Sequence, residues 1–186
     1  MRLFRADLHI HTLLSPCGDL DMSPARIVAE ALDKGLDIIG ITDHNTTRQS
    51  DLVKRIGESK GLCVLTGAEV TTKEEVHCLV FFENTDTTGV FQEYLDNNLP
   101  EIQNNSSLFG YQVQVDENEN IVYEEQKLLY SGLTKSVNEI ERFVHSLGGI
   151  FIPAHIDRQK NSLYSQLGFL PEDLRADALE ISRRTT

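Results

Sequence analysis

The sequence has little positive charge. It holds 17 Lys and Arg against 29 Asp and Glu, which gives a formal net charge of −12. This charge disfavours non-specific contact with nucleic acid or with an anionic membrane, because both need a basic protein face. It does not exclude a small anionic substrate, since bound metal cations can reverse the local field.

Cysteines and long hydrophobic runs are also scarce. The three cysteines, Cys17, Cys63 and Cys78, are too few and odd in number for a disulfide framework, which indicates a reducing compartment. The sequence has no signal-peptide pattern and no run near the ~18 apolar residues of a membrane span. We therefore expect a soluble cytoplasmic protein with no membrane contact. Cys63 and Cys78 fall in apolar runs and are expected in the core.

Short apolar runs alternate with amphipathic segments along the chain. This pattern predicts an α/β fold with mainly parallel strands in one domain over residues 1–186. The segment 104–130 is either a hairpin or a flexible insertion. The predicted strands cover residues 3–10, 36–41, 62–66, 76–82, 150–152 and 178–181. The predicted helices cover residues 23–34, 50–59, 90–99 and 136–147.

Two histidines share one face of the first predicted strand. Side chains alternate along a strand, so His9 and His11 point the same way, roughly 7 Å apart along the chain. Two imidazoles at this spacing can bind one metal ion. The alternative is a half-exposed strand end that carries two polar residues.

Further polar side chains follow other predicted strands directly. They are Asp43 and His44, then Glu69, then His155. Because parallel strands end on one face of an α/β fold, we expect these groups to meet there. His77 instead begins its strand, so either that strand runs the other way or the preceding turn folds toward the site.

The donor types predict a metal centre. Imidazole and carboxylate ligands suit Zn²⁺, Fe and Mn²⁺, and five histidines with carboxylates exceed the four ligands of a closed zinc site. The surplus indicates two or three divalent ions, with Glu69 as a candidate bridge. Such sites hydrolyse phosphoesters through a metal-bound hydroxide, and the sequence has no serine-nucleophile or phosphate-loop motif that offers another route.

These motifs resemble the PHP domain, the polymerase and histidinol phosphatase family. The resemblance rests on Asp7-Leu8-His9-Ile10-His11-Thr12, Thr42-Asp43-His44-Asn45, Gly67-Ala68-Glu69-Val70, the His77 strand and Pro153-Ala154-His155. It implies a distorted (β/α)7 TIM-like barrel with two or three metals at the strand ends, and phosphoester hydrolysis. It also implies a set of metal ligands, namely His9, His11, His44, Glu69, His77 and His155.

Two departures from the family pattern stand out. Many members have a His or Asp ligand where this chain has Pro16 and Cys17. Cys17 is either a thiolate ligand or a small residue packed in a turn, and Asp19 is a weaker substitute. The family's final Asp-X-His motif is absent after the sixth predicted strand. We therefore expect a truncated barrel lacking its last strand, a reduced cluster, or a site completed by a partner.

Three other residues are candidates for a role at the site. Asp43 is either a metal ligand or a residue that orients a ligand histidine, and with Arg158 it is a catalytic candidate. Arg158 and Arg183 are candidates to bind a substrate phosphate, although all the arginines can equally be solvated surface charges. His145 is expected at the surface.

Three functions remain open from the sequence. The first is a metal-dependent phosphoesterase that acts on a small phosphorylated metabolite or nucleotide. The second is a PHP-type exonuclease or proofreading module, with nucleic acid bound only as a short oligonucleotide because the chain lacks a basic, aromatic stretch. The third is a non-catalytic metal-binding regulatory domain. The sequence does not specify an oligomeric state.

Overall fold

The structure is a computed structural model and describes residues 3–182. Its strands are β1 Ala6–Ile10, β2 Ile38–Ile41, β3 Cys63–Thr71, β4 His77–Phe82, β5 Val113–Val115, β6 Ile121–Glu124 and β7 Ile150–Pro153. Its helices are α1 Pro24–Asp33, α2 Ser50–Ser59, α3 Thr85–Asn98, α4 Ser106–Phe109, α5 Val137–Ser146 and α6 Leu163–Leu167.

The main sheet has five strands in the order β1-β2-β3-β4-β7 and curls into a half-barrel. Neighbouring strands from β1 to β3 are parallel, whereas β4 is antiparallel to both β3 and β7. His77 therefore begins β4 at the edge where β1, β2, β3 and β7 end. Of the two alternatives that the sequence left open, the reversed strand is correct.

Local sequence signals account for the helix starts. Ser23 caps α1 with Pro24 in its first turn, and Ser136 with Glu139 forms a capping box on α5. Helix α3 begins at Thr85, five residues before the predicted start, because the Asn84 side chain caps it by accepting from the backbone of Thr87. No helix within residues 3–182 is long and apolar enough to cross a membrane.

Two hydrophobic clusters support the sheet. The larger lies among β3, β4, β7, α3 and α5 and includes the fully buried rings of Phe91 and Phe151, each worth about 1.5–3 kcal/mol of burial. The smaller joins α1 and α2 to β2 and β3. Cys78 is buried as predicted. The prediction that Cys63 is a core residue is wrong, because it alternates with the buried Leu62 and Val64 and faces solvent.

The apolar run 178–181 does not form the predicted strand. It lies beside β7, where the backbone of Asp177 donates to Phe151 and that of Glu180 donates to Pro153. Continuous backbone pairing between this run and β7 does not form, because the amide of Phe151 donates to the Asp177 side chain, 2.7 Å away, instead of to a backbone carbonyl. Within residues 3–182 the sheet does not reach the expected (β/α)7 count.

The segment 104–130 is ordered around a two-stranded antiparallel sheet, β5 and β6. Val113 and Val115 are buried, and the Gln49 side chain makes two hydrogen bonds to the backbone of Val115. The Asn45 amide donates to the carbonyls of Leu129 and Ser131. These contacts fix the end of the segment, including Tyr130, above the strand ends.

Candidate metal centre

An open cavity of about 1360 Å³ lies at the edge where the parallel strands end. All six histidine and glutamate ligands expected from the sequence line it, and so does Cys17. The six are His9, His11, His44, Glu69, His77 and His155. The arrangement brings together donors from four strands and from the turn after β2.

The five imidazoles converge on the two oxygens of Glu69. The contacts to Oε1 are His9 Nε2 at 3.2 Å, His77 Nδ1 at 2.8 Å and His155 Nε2 at 3.1 Å. The contacts to Oε2 are His11 Nε2 and His44 Nδ1, both at 3.2 Å. Glu69 is only 2% exposed, so its carboxylate is the buried centre of the cluster.

Strand geometry explains how the donors reach one place. His9 lies on β1 and His11 follows the end of that strand; both line the cavity, and their ring centroids lie 5.2 Å apart. His44 and Glu69 are adjacent because β2 and β3 continue as a parallel bridge past the end of β2. His155 follows β7 with a φ of 29°, in the left-handed region. That conformation costs about 1–3 kcal/mol and is typical of a site held by its surroundings.

The electrostatics of the cluster centre on one ionised carboxylate. Burial opposes ionisation of Glu69, but hydrogen bonds from the imidazoles hold its pKa well below the usual range. Burial also opposes protonation of His9 and His11, yet hydrogen bonds to neighbouring acidic groups raise their pKa values to about 9 and about 10. Burial lowers the pKa of His44 to about 3, so this imidazole is neutral.

The donor set fits divalent metal ions. A single carboxylate offers about four lone pairs and one negative charge, which cannot satisfy five converging imidazoles. The Nδ1 atoms of His44 and His155 are buried without a hydrogen bond. Nitrogen and oxygen donors at this density are typical of Zn, Mn or Fe centres. Three groups have ligand atoms within 4.8 Å of one another, namely His11–Cys17–His44, His9–His11–Glu69 and His44–Glu69–His77.

Asp43 lies beneath the cluster and does not line the cavity. Its carboxylate accepts hydrogen bonds from the backbone and hydroxyl of Thr12 and from the hydroxyl of Ser15. Burial raises the pKa of this carboxyl, although those donors oppose the shift. Since Ser15 donates its only proton to Asp43, it must accept from His11 Nδ1, 3.0 Å away. The Nδ1 proton of His11 therefore points to Ser15, and Nε2 is the nitrogen that faces Glu69 at the cavity.

Glu180 was not identified from the sequence. Both of its carboxylate oxygens lie 3.1 Å from His9 Nδ1, and Oε2 also accepts from the backbone of His155. Burial opposes ionisation of Glu180, but the bond to His9 lowers its pKa. The available signal was one carboxylate inside the apolar run 178–181, whereas Glu69 was selected because it follows a predicted strand.

Tyr130 was also missed. Its ring lies 4.6 Å from that of His44, and it lines the cavity beside Cys17. It follows no predicted strand, so strand-end reasoning gave no reason to select it. Asp19, the weaker substitute for Cys17, does not line the cavity.

Positive side chains border an otherwise acidic site. Arg158 lines the cavity together with Arg5 and Lys160. Arg183, the other candidate for phosphate binding, lies outside the described residues. Asp7 and Glu180 line the same cavity, so the three basic side chains are positive charges within a mixed lining on a chain of net charge −12.

Several solved structures share this fold. The endonuclease Q of Pyrococcus furiosus superposes with a TM-score of 0.67 at 21% identity, over 96% of this chain and 42% of that chain. A Bifidobacterium adolescentis protein, provisionally classed as a metal-dependent phosphoesterase, superposes with a TM-score of 0.62 at 23% identity, over 96% of this chain and 77% of that chain.

Sequence comparisons give the family. The Bacillus subtilis protein YqxK is 26% identical over 192 residues, which cover 89% of this chain and 43% of YqxK. The chain spans less than half the length of the curated relatives that it matches. The profile of the PHP domain matches residues 7–167, which confirms the resemblance drawn from the motifs. The chain therefore belongs to the PHP domain family.

Proposed function

We propose that this chain is a phosphoric ester hydrolase that binds two or three divalent metal ions, Zn, Mn or Fe, and cleaves a small phosphorylated substrate. The residues that hold the metals are His9, His11, His44, Glu69, His77 and His155. Bound divalent ions polarise phosphoryl oxygens, activate water near neutral pH and stabilise the leaving oxygen.

One observation carries the proposal. Five imidazole nitrogens lie within 3.2 Å of the oxygens of a single buried carboxylate, in a cavity that Arg5, Arg158 and Lys160 also line. A purely structural cluster has no need of five imidazoles around one charge, because a buried polar atom without a partner is costly.

Residues outside the ligand set orient the donors. Glu180 accepts from His9 Nδ1 and Ser15 accepts from His11 Nδ1, so both imidazoles present Nε2 to the cavity. Carboxylate–histidine pairs of this kind fix the tautomer and raise the basicity of a ligand. In this proposal Asp43 acts through Ser15 as a positioning residue, not through the substrate.

The border of the cavity defines the substrate class. Arg158 supplies a guanidinium that can bind a phosphate with two hydrogen bonds, and Arg5 and Lys160 add positive charge. The acidic remainder of the chain disfavours long nucleic acid. We therefore propose phosphomonoesters, nucleotides or short oligonucleotides as substrates.

The test is hydrolysis by metal-free protein reconstituted separately with Zn²⁺, Mn²⁺ or Fe²⁺. The panel contains phosphomonoesters, mononucleotides and short oligonucleotides. We expect metal-dependent phosphate release that Glu69→Gln lowers by at least about 100-fold, because it removes the shared carboxylate charge. Glu93→Gln, on the exposed face of α3, is the matched control and should leave activity unchanged.

The outcomes separate the candidate functions. Cleavage of oligonucleotides with no release of phosphate from monoesters would favour the exonuclease alternative. Tight metal binding by folded protein that hydrolyses no member of the panel would reject the enzyme and leave a metal-binding domain.

A further inference from the structure

We infer that Asp177 and His145 are positioning residues for the metal centre, because they hold the segment whose Glu180 orients His9. This edge segment, residues 177–182, runs beside β7 from α5 to the cavity. Neither Asp177 nor His145 lines the cavity, so both act at a distance from the ligands. Their role rests on the proposed metal centre, in which His9 is a ligand.

Polar contacts, and not apolar burial, hold the edge segment in place. Leu179 is 43% exposed and Ile181 is 70% exposed. At the cavity end, the backbone amide and the hydroxyl of Ser182 both donate to Asp157, each at 2.8 Å. Because the segment buries little apolar surface, the loss of one polar contact should loosen it locally without unfolding the sheet.

The Glu180 carboxylate follows the backbone of the edge segment. The amide of Glu180 donates to the carbonyl of Pro153, and its own carbonyl accepts from the amide of Ile156 at 2.9 Å. Its side chain accepts from the amide of His155 and contacts His9 Nδ1. A shift of this backbone would therefore withdraw the carboxylate from two proposed ligands at once.

Asp177 anchors the other end of the edge segment to β7 and α5. Its Oδ2 accepts from the amide of Phe151 at 2.7 Å and lies 3.0 Å from His145 Nε2. His145 Nδ1 in turn lies 2.6 Å from a Glu141 oxygen. Asp177 and Glu141 are the charged groups that most strongly raise the pKa of His145. An imidazole that donates to a carboxylate from each nitrogen must carry both protons, so the anchor is complete only when His145 is charged.

The contact with Asp177 is the one that deprotonation of His145 should break. The Glu141 side chain is 6% exposed, whereas that of Asp177 is 47% exposed. Water can solvate the freed Asp177 carboxylate but not that of Glu141, so the remaining proton should stay on Nδ1. The edge segment should therefore loosen as pH rises through the pKa of His145, which lies above its usual value of about 6.5.

The experiment measures amide hydrogen exchange by NMR in the metal-free chain. The reporter amides are those of Glu180, His155 and Ile156, and the reference amides are those that pair β2 with β3. Asp177→Ala should speed exchange of the reporters at least about 10-fold and leave the reference amides unchanged. Asp177→Asn keeps an acceptor oxygen and should restore part of the protection. Glu172→Ala, an exposed residue outside the cavity, is the matched control.

Two further readouts separate positioning from general stability. After correction for the intrinsic effect of pH, exchange of the wild-type reporters should rise about 2–5-fold between about pH 6 and pH 9. His145→Lys should abolish this rise, because an ammonium group stays charged over this range and can donate to both carboxylates. Asp177→Ala should also lower metal affinity about 3–10-fold, which Asp177→Asn should partly restore.

Several outcomes would overturn these roles. They are reporter exchange at the wild-type rate in Asp177→Ala, equal acceleration of reporter and reference amides, and unchanged metal affinity in Asp177→Ala. If Asp177→Ala does not fold, the wild type decides, since reporter exchange that does not change with pH would equally reject the anchor. Because exchange is measured without metal or substrate, a chain that hydrolyses nothing would reject the proposed function and leave this result standing.

Discussion

The imidazole of His9 and the carboxylate of Glu180 are in contact although 171 positions separate them in the chain. His9 lies on β1, at one edge of the sheet, and Glu180 lies on the segment beyond β7, at the other. Their contact, 3.1 Å from Nδ1 to each carboxylate oxygen, therefore joins the two edges of the curled sheet at the cavity. The same carboxylate accepts from the backbone of His155 and so links two proposed ligands.

Glu180→Gln should weaken metal binding without removing a direct ligand. The substitution removes the charge that accepts from His9 Nδ1, so the ligand loses its fixed tautomer and part of its basicity. We expect about 10–100-fold lower metal affinity, measured by competition with a chelating dye. Glu172→Gln, an exposed residue that does not line the cavity, is the matched control. Equal affinities for Glu180→Gln and the wild type would show that Glu180 does not orient His9.

Ser15→Ala should destabilise the fold as well as the metal centre. The hydroxyl of Ser15 donates to Asp43 and accepts from His11 and from the amide of His44. Its loss leaves buried polar groups without partners, for which we expect about 1–3 kcal/mol lower free energy of unfolding in urea. Ser107→Ala, on the exposed α4, should change stability by less than about 0.5 kcal/mol. An unchanged free energy of unfolding in Ser15→Ala would contradict the hydrogen-bond network described for this loop.

His145, in the last turn of α5, should make a pH-dependent contribution to the free energy of unfolding. Its Nε2 lies 3.0 Å from Asp177, and its Nδ1 bonds Glu141. The bond to Asp177, and then that to Glu141, raise the pKa of His145. Partial burial opposes ionisation of Asp177, but the amide of Phe151 and His145 lower its pKa.

The direction of the effect follows from these shifts. The raised pKa of His145 stabilises the fold below about pH 6.5 and loses its effect as pH rises through the folded value. The lowered pKa of Asp177 stabilises the fold above about pH 4 and loses its effect below that. His145→Gln should therefore lower the free energy of unfolding most near pH 5.5 and little near pH 9. The expected loss near pH 5.5 is roughly 0.2–1 kcal/mol, because both groups are partly solvated. A cost that is the same at both pH values, or that does not shrink in 1 M salt, would reject the charge pair.

Removal of metal should lower thermal stability. An ion that binds only the folded chain stabilises it by about 2.7 kcal/mol at a free concentration 100 times its dissociation constant. Dialysis against a chelator should lower the unfolding temperature, and stoichiometric zinc should restore it. The metal-free Glu69→Gln variant should have an unfolding temperature different from that of the metal-free wild type. Zinc should raise that temperature much less than it does in the wild type. An unfolding temperature that is the same with and without metal would contradict a bound cluster.

Most of the candidate site was predictable because it follows local rules. Alternation along β1 places His9 and His11 on one face, and the parallel strand ends bring His44, Glu69 and His155 to one edge. These relationships depend on strand geometry and not on distant packing. The motif order then identified the family, which the match over residues 7–167 confirms.

The remainder depended on contacts that periodicity does not encode. Parallel and antiparallel strands share a period of two, so the reversal of β4 that brings His77 to the cavity was not decided by the sequence. The run 178–181 has the composition of a strand, but the Asp177 side chain takes the amide of Phe151 that a strand would need. Tyr130 reaches the cavity only because Asn45 holds the carbonyls on either side of it.

The most direct test of the shared metal centre is a crystal structure of the zinc-soaked chain, with anomalous scattering measured at the zinc edge. We expect at least two zinc peaks at the cavity floor, within about 2.0–2.3 Å of imidazole nitrogens and of a Glu69 oxygen. This expectation would be contradicted if, at saturating zinc, the five imidazoles still contacted Glu69 directly and no anomalous peak lay among them.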